Sequence, residues 1–253
     1  METGASIVKT GRWLGATLLD QLYPPVCLSC DKPVATADAL CSTCFRALRS
    51  ITAPLCPVLG LPFEASLGPD ARSAEAIADP PPFDRARSAV VYNDVARALV
   101  GKLKYGDRPE LARFCARLMA QAGHELWGPD AILVPVPLHR VRLFSRRYNQ
   151  STELARALGR LTGLPVDPVL VTRRKNTPHQ VGLSGDARRR NVAGAFAVHP
   201  DSLRRLRGRR VVLVDDVITT GATVKAVTHA LNKGGANQVD VVSFARVVTG
   251  SDA

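Results

Sequence analysis

Two adjacent carboxylates followed by a hydroxyl-rich turn are the most chemically informative residues of this chain. Asp215 and Asp216 can accept hydrogen bonds from the neighbouring hydroxyls of a ribose. The turn behind them offers backbone N–H groups and hydroxyls to a phosphate. It consists of Thr219, Thr220, Gly221, Ala222 and Thr223. The pattern predicts a site for a phosphorylated sugar, and the alternative is an acid pair that only caps a helix.

The predicted secondary structure places these residues where α/β proteins bind ligands. Residues 211–214 form an apolar, β-branched run typical of a buried parallel strand, and residues 223–233 are predicted as the following helix. Ligands of open α/β sheets bind at the carboxyl ends of the strands. Further strands are predicted at 89–92, 131–136, 166–171 and 238–246, and helices at 95–103, 109–122 and 150–161. The predicted fold class is α/β, with a parallel sheet flanked by helices.

Four of the six cysteines form two pairs with the spacing of metal knuckles. The pairs are Cys27 with Cys30 and Cys41 with Cys44. Two such pairs complete a tetrahedral four-sulfur site, so we predict a structural zinc ion. A disulfide framework is disfavoured because no secretory signal is evident, while a redox pair or an unoccupied relic stays open as an alternative.

The other two cysteines are predicted to have no metal partner. Cys56 begins a similar turn, but Leu59 stands where the second cysteine of that turn would be. Cys115 falls on a predicted helix and is expected to be a small buried apolar residue.

Composition narrows the class of partner without naming it. The chain has 253 residues, enough for one large core and one small appendage, and its net charge of +12 indicates an anionic partner. Residues 1–24 are predicted as an amphipathic helix that is too interrupted to span a membrane, and we expect a cytoplasmic protein.

The order of these segments resembles the ComF family, whose members join an N-terminal zinc ribbon to a phosphoribosyltransferase-like domain. The matching motifs run along nearly the whole chain. They are the two cysteine pairs, Cys56-Pro57 with Gly60-Leu61-Pro62, and the segments 104–108, 134–138, 147–151, 177–180, 190–192 and 211–223. The resemblance implies a zinc ribbon at 25–60, a linker or degenerate second ribbon at 61–83, and a type I phosphoribosyltransferase-like domain at 84–253.

The resemblance also implies roles for the site residues. Asp215 and Asp216 would bind the ribose hydroxyls of phosphoribosyl pyrophosphate (PRPP), which binds with Mg²⁺, and residues 219–223 would hold its 5-phosphate. A loop of Leu138, His139 and Arg140 corresponds in position to the loop that holds pyrophosphate.

A polar, arginine-rich segment lies between these two loops. Residues 172–191 fit a hood that closes over a transfer site. His179 within it and Arg140 are candidate catalytic residues, although a histidine in a loop is more often a surface residue.

One departure from the family pattern affects the metal count. Members often carry a second set of knuckle cysteines that begins at Cys56, and three of its four cysteines are missing here. We therefore expect one zinc ion.

Two functions of different class follow. The first is a PRPP-dependent transferase with an unidentified acceptor. The second is a non-catalytic competence protein that handles single-stranded DNA, works with other competence proteins, and uses the PRPP site for regulation. Its basic clusters could bind a strand through phosphate contacts, but few aromatic residues lie between the arginines.

Overall fold

The computed structural model describes residues 24–68, 70–105, 108, 110–175 and 194–248. The predicted N-terminal helix, His179 and most of the predicted hood lie outside these ranges. The chain divides into two compact units between Ala47 and Leu48. This division falls inside the range 25–60 that was predicted as the zinc ribbon.

The first unit contains a tight turn and a short helix that together hold four cysteines. We call residues 26–33 the first knuckle. Val26 pairs with Pro33 in a β-bridge, and the Cys27 N–H donates to the Lys32 carbonyl. Helix α1, Ser42–Ala47, begins directly after Cys41 and carries Cys44.

The second unit opens with a turn of the same design. We call residues 55–62 the second knuckle. Leu55 bridges to Pro62, and the Cys56 N–H donates to the Leu61 carbonyl. Helix α2, Ala74–Ala78, follows, with Ser73 as its N-cap.

A four-stranded parallel sheet forms the centre of the second unit. Its order is β1-β6-β5-β2. The strands are β1 (Arg85–Val91), β2 (Ala131–Pro135), β5 (Arg210–Ile218) and β6 (Val239–Arg246). All three pairings are parallel, so the carboxyl ends of β2 and β5 meet at one edge, where Pro135 pairs with Val214. The predicted parallel sheet is confirmed.

The described helices of the second unit from Asp94 onward bury part of their surface, except the helix Arg140–Arg146, which buries none of its side chains. They are α3 (Asp94–Tyr105), α4 (Leu111–Ala122), α5 (Arg140–Arg146), α6 (Gln150–Thr162), α7 (Ser202–Leu206) and α8 (Ala222–Lys233). A single 3₁₀ turn, His124–Leu126, precedes β2. Helices α4 and α6 contact each other and the strands, while α8 contacts β5 and β6. The largest apolar cluster joins α8 to alternate residues of the sheet and to the second knuckle.

The structure corrects the sequence predictions for two strands. Strand β5 continues through Asp215 and Asp216, which were predicted to follow it, because its pairing with β6 extends to Ile218. The strand predicted at 166–171 is replaced by one bridge at Val166 and a short strand, β3 (Val171–Arg173), since Pro168 interrupts the run. Strand β3 pairs antiparallel with β4, Phe196–Val198.

The part of the chain that the structure describes contains no helix with the length and apolar character needed to cross a membrane.

Candidate functional site

A cleft at the carboxyl end of β5 contains the acid pair. We call it the acid cleft. It has a volume of about 260 Å³ and is walled by the loop after β2, the start of α6 and the turn before α8. Asp215 and Asp216 both line it and are both buried. The structure therefore brings the acid pair together with Thr219 and Thr223 of the hydroxyl-rich turn in one cavity.

Hydrogen bonds hold Asp215 in place from two neighbouring elements. Ser151, in the first turn of α6, donates its hydroxyl to Asp215 Oδ1 at 3.2 Å. Asn149 accepts the Ser151 N–H at 3.0 Å and donates its own side-chain amide to the Val136 carbonyl at 3.0 Å. This chain of contacts links the loop after β2, the start of α6 and the acid pair, so their spacing is fixed by the scaffold.

The second acid is paired with a lysine from α3. Lys104 Nζ lies 2.6 Å from Asp216 Oδ2. Burial lowers the pKa of Lys104, but attraction to Asp216 outweighs it and raises the pKa overall. Lys104 therefore stays charged in the cleft. Sequence reasoning gave this lysine no role, although it stands in the motif at 104–108.

Burial makes the first acid unusually hard to ionise. It raises the pKa of Asp215 from 3.8 to about 8, and repulsion from Asp216 adds to the shift, while the Asp216 N–H, Lys104 and the Ser151 hydroxyl oppose it. An acid buried beside a second carboxylate is a typical feature of functional sites. A ligand that donates hydrogen bonds to the carboxylates would offset this cost.

Cations surround the acid pair. Arg142, Arg146 and Arg173 line the cleft with Lys104. Burial lowers the pKa of Arg142 and of Arg173, and repulsion from neighbouring arginines lowers both further. Crowded like charges of this kind favour an anionic ligand.

Aromatic rings hold two of these arginines in place. The Arg146 guanidinium lies 4.8 Å from the centre of the Tyr105 ring and donates to its hydroxyl at 2.9 Å. The Arg173 guanidinium lies 5.3 Å from the Phe196 ring. Both guanidinium groups therefore lie over an aromatic ring at the cleft.

The turn before α8 has the geometry of an anion-binding helix start. Gly221 adopts φ 75° at the N-cap, a conformation that disfavours other residues, and it brings no side chain to cover the first N–H groups of α8. Thr219 and Thr223 line the acid cleft. Thr220 is exposed and Ala222 is buried at the start of α8.

The predicted pyrophosphate loop is divided between two cavities. Leu138 lines the acid cleft, whereas His139 and Arg140 line a larger neighbouring groove. His139 is the N-cap of α5, where its Nδ1 accepts the Val141 N–H at 3.3 Å, and Arg140 is exposed. A pyrophosphate role for these residues, and a catalytic role for Arg140, stay predictions.

The four predicted zinc ligands come together in the first unit. The sulfur atoms of Cys27, Cys30, Cys41 and Cys44 all lie within 4.8 Å of one another. The Cys30 and Cys41 sulfurs are 3.7 Å apart, close to the roughly 3.8 Å that Zn–S bonds of about 2.3 Å give in a tetrahedron. The donor set therefore fits zinc. Within the described ranges this is the one cysteine, histidine and carboxylate cluster that could hold a metal ion.

Comparisons with known proteins agree with both parts of the chain. Residues 18–77 match the double zinc ribbon domain, and residues 103–251 match the phosphoribosyl transferase domain. The chain is 35% identical over 232 residues to the DNA utilization protein YhgH of Salmonella typhimurium, covering 89% of this chain and 98% of that protein. It is 32% identical over 229 residues to Competence protein F of Haemophilus influenzae, covering 87% and 96%.

Among solved structures, similarity is more distant. A purine phosphoribosyltransferase from Pyrococcus horikoshii matches with 21% identity and a TM-score of 0.32, covering 57% of this chain and 78% of that one. The family assignment comes from the sequence matches. They define a phosphoribosyltransferase-type protein with an N-terminal zinc ribbon, and the chain belongs to the ComF family.

Proposed function

We propose that the acid cleft binds PRPP with Mg²⁺ and that the domain transfers the phosphoribosyl group to an acceptor. The observation that carries this proposal is the buried pair Asp215 and Asp216, enclosed by four cations in one cavity. Its carboxylates suit a ribose diol, and its cations suit the phosphates of the same molecule.

Each part of PRPP has a counterpart in the cleft. The ribose hydroxyls would donate to the two aspartates, and the 5-phosphate would meet the N–H groups of the turn at 219–223. The pyrophosphate would lie between Leu138 and the arginines. Gln150 Oε1 is buried in the cleft wall without a hydrogen-bond partner among the described residues, so it offers one more acceptor to a ligand hydroxyl.

Mg²⁺ would supply charge neutralisation for the pyrophosphate. Asp215 and Asp216 are the carboxylates that the described part of the cleft provides. Because Mg²⁺ binds readily through substrate phosphates, PRPP oxygens would supply most of its ligands.

The transfer reaction requires that the protein position the two reactants and stabilise the charge of the leaving group. The bond from C1 of the ribose to the pyrophosphate oxygen breaks, and its electron pair leaves with pyrophosphate. A lone pair of the acceptor forms the new bond to C1, and the acceptor loses a proton to water. Arg142, Arg146 and Arg173 would stabilise the charge that develops on the leaving group. We expect this reaction to take place in the cytoplasm.

Thermal unfolding tests the binding step. PRPP with Mg²⁺ should raise the melting temperature of the full chain, because a ligand of the folded state stabilises it by mass action. The double variant Asp215→Asn, Asp216→Asn should abolish the shift, and the exposed control Asp94→Asn should keep it. An unchanged melting temperature of the unsubstituted protein at saturating PRPP would overturn the proposal.

The acid pair also predicts a pH dependence in the absence of ligand. The pKa of Asp215 is about 8 in the folded protein, against an ordinary value of 3.8, so the folded state binds the extra proton. This contribution is fully present below about pH 4 and is lost as the pH rises through 8. Urea unfolding between pH 5 and 8 should therefore show a fall in stability that is weaker in Asp215→Asn, and equal slopes would contradict the buried, protonated state.

A second candidate function is binding of single-stranded DNA, and one observation favours it. Helix α5 buries none of its side chains, and Phe144 on it is 90% exposed near Arg142, Arg146 and Arg147. Tyr105 beside them is 71% exposed. Aromatic rings among arginines can stack bases, so the stacking support is stronger than the sequence indicated. The names of the two relatives, a DNA utilization protein and a competence protein, also favour a role with DNA. In that role, other competence proteins would be partners.

Binding of a thymidine oligonucleotide distinguishes this second function. Its affinity should fall steeply with salt, should weaken in Phe144→Ala, and should survive the aspartate changes. Absence of binding at low salt would remove this candidate.

A further inference from the structure

A second cavity adjoins the acid cleft and differs from it in charge. We call it the arginine groove. Its volume is about 880 Å³, and it shares Pro137, Leu138 and Arg173 with the acid cleft. Two cavities that share walls in this way can hold two parts of one reacting pair.

The charge of the groove is almost entirely positive. Glu153 is the one carboxylate among its described wall residues, and it lies 2.8 Å from Arg156. The groove carries five arginines: Arg140, Arg147, Arg156, Arg173 and Arg174. A described wall with more guanidinium groups than carboxylates suits a ligand with a doubly charged group such as a phosphate monoester.

The positive charges come from different elements around the cavity. Arg140 and Arg147 bracket helix α5, Arg156 lies on α6, and Arg174 follows β3. Charges that converge from separate elements indicate a concave anion site rather than a solvated face of one helix.

The wall of the groove also contains apolar residues. Leu138 and Pro168 line it, together with Leu143 and Val169, which are 41% and 56% exposed. Apolar side chains beside guanidinium groups fit a ligand that has both a flat, weakly polar body and a charged group.

From these observations we infer that the arginine groove binds the acceptor and that the acceptor is a nucleoside phosphate. The inference rests on the proposed function, because the groove can hold an acceptor only if PRPP binds in the adjoining acid cleft. The arginines bind the phosphate, and the base lies against Leu138, Leu143 and Val169. An exocyclic amino group of the base supplies the lone pair that forms the bond to C1 as pyrophosphate leaves, and it loses its proton to water. Leu138 and Arg173, at the shared wall, face both ligands.

Calorimetric titration of the full chain with the four common nucleoside 5′-monophosphates, and with the matching nucleosides, tests the inference. At least one monophosphate should bind at least about tenfold more tightly than its nucleoside, because the arginine contacts depend on the phosphate. The variant Arg156→Gln, Arg174→Gln should weaken that monophosphate at least about tenfold while leaving the PRPP shift intact, since neither residue lines the acid cleft.

A matched control removes the same charge elsewhere. Arg113 and Arg117 are exposed on α4 and line neither cavity, so Arg113→Gln, Arg117→Gln should bind the monophosphate like the unsubstituted chain. Equal binding of nucleoside and monophosphate, an equal loss in the control variant, or no binding of any monophosphate would overturn the inference. Much tighter binding of a thymidine oligonucleotide through the same arginines would also overturn it, in favour of a DNA site.

The two proposals fail separately. Loss of the PRPP shift in the unsubstituted chain overturns the proposed function and, with it, the assignment of the groove to an acceptor. Retention of that shift without selective monophosphate binding overturns the further inference alone.

Discussion

The two knuckles of this protein share a backbone and differ in what fills it. In the first, the Asp31 N–H donates to the Cys27 carbonyl, and in the second, the Gly60 N–H donates to the Cys56 carbonyl. Asp31 and Gly60 have nearly the same positive φ, 60° and 64°. The same turn therefore forms around Cys27 and Cys30 in the first knuckle and around Cys56 and Leu59 in the second.

The correspondence extends to the helix that follows each knuckle. The Cys41 N–H donates to the Cys27 sulfur at 3.3 Å, and the Ser73 N–H donates to the Cys56 sulfur at 3.4 Å. Ser73 and Ala76 therefore stand where Cys41 and Cys44 stand in the first unit, and Leu59 stands where Cys30 does. Cys56, Leu59, Ser73 and Ala76 are all buried.

The difference shows two ways to stabilise one small turn. Four thiolates need a metal ion to hold them together. Three of the residues at the second knuckle instead join the apolar cluster that reaches α8 and the sheet. A Cβ at Gly60 would come within 2.2 Å of the Ala86 carbonyl oxygen, so this knuckle lies directly against β1. Contact with a large core can therefore take over the role of a metal.

Removal of one sulfur from the first knuckle should have the largest effect. Cys44→Ser leaves three thiolates, and structural zinc sites of this kind have apparent binding free energies of roughly 10–16 kcal/mol. Elemental analysis should show zinc falling from about one ion per chain to well below one. The matched change Cys56→Ser should keep the zinc, and zinc loss in that variant would break the comparison.

Restoration of the missing cysteines should add a second metal site. Leu59→Cys, Ser73→Cys and Ala76→Cys together with Cys56 rebuild a four-sulfur set on a backbone that matches the first knuckle. Zinc content should rise from about one to about two ions per chain. The variant Leu59→Ser, Ala76→Ser, which keeps Ser73, serves as control, and a count that stays at one in the cysteine variant would show that the two backbones are not equivalent.

Loss of apolar volume in the second knuckle should have a smaller effect than these changes to the metal sites. Leu59 is buried in the shared cluster, so Leu59→Ala should lower the free energy of unfolding by roughly 2–5 kcal/mol. Urea denaturation measures it, with the exposed Leu67→Ala as control. A change below about 0.5 kcal/mol would mean that the core does not support this turn.

Thiol reactivity should separate the two knuckles without a substitution. After zinc removal, the first unit loses the ion that holds its thiolates together, so all four of its cysteines, including the buried Cys27, should react with a thiol reagent while the second unit stays folded. Cys56 and Cys115, both 0% exposed, should react only after unfolding. Rapid reaction of a fifth thiol under native conditions would contradict the packing of the second knuckle.

Sequence patterns predicted the parts of this molecule that depend on local order. The acid pair and the turn behind it lie on consecutive elements, and the four sulfurs follow a regular spacing, so both groups were visible in the chain. The predicted four-cysteine cluster and the predicted parallel sheet are confirmed.

Those patterns do not predict contacts between residues that are far apart in the chain. Lys104 is far from Asp216 in the chain, and the ion pair between them depends on where the fold places the end of α3. Ser73 and Ala76 gave no signal because neither is a cysteine, and the connection that leads to them is longer than in the first knuckle. The acids were placed after β5 since aspartate is uncommon in strands, yet pairing with β6 carries the strand past them.

A structure of the full chain with PRPP and Mg²⁺ tests the central claim most directly. The account predicts ribose hydroxyl oxygens within about 3 Å of the carboxylates of Asp215 and Asp216, with the 5-phosphate against residues 219–223. A sugar bound elsewhere, with the Lys104–Asp216 ion pair unchanged in an empty acid cleft, would contradict it.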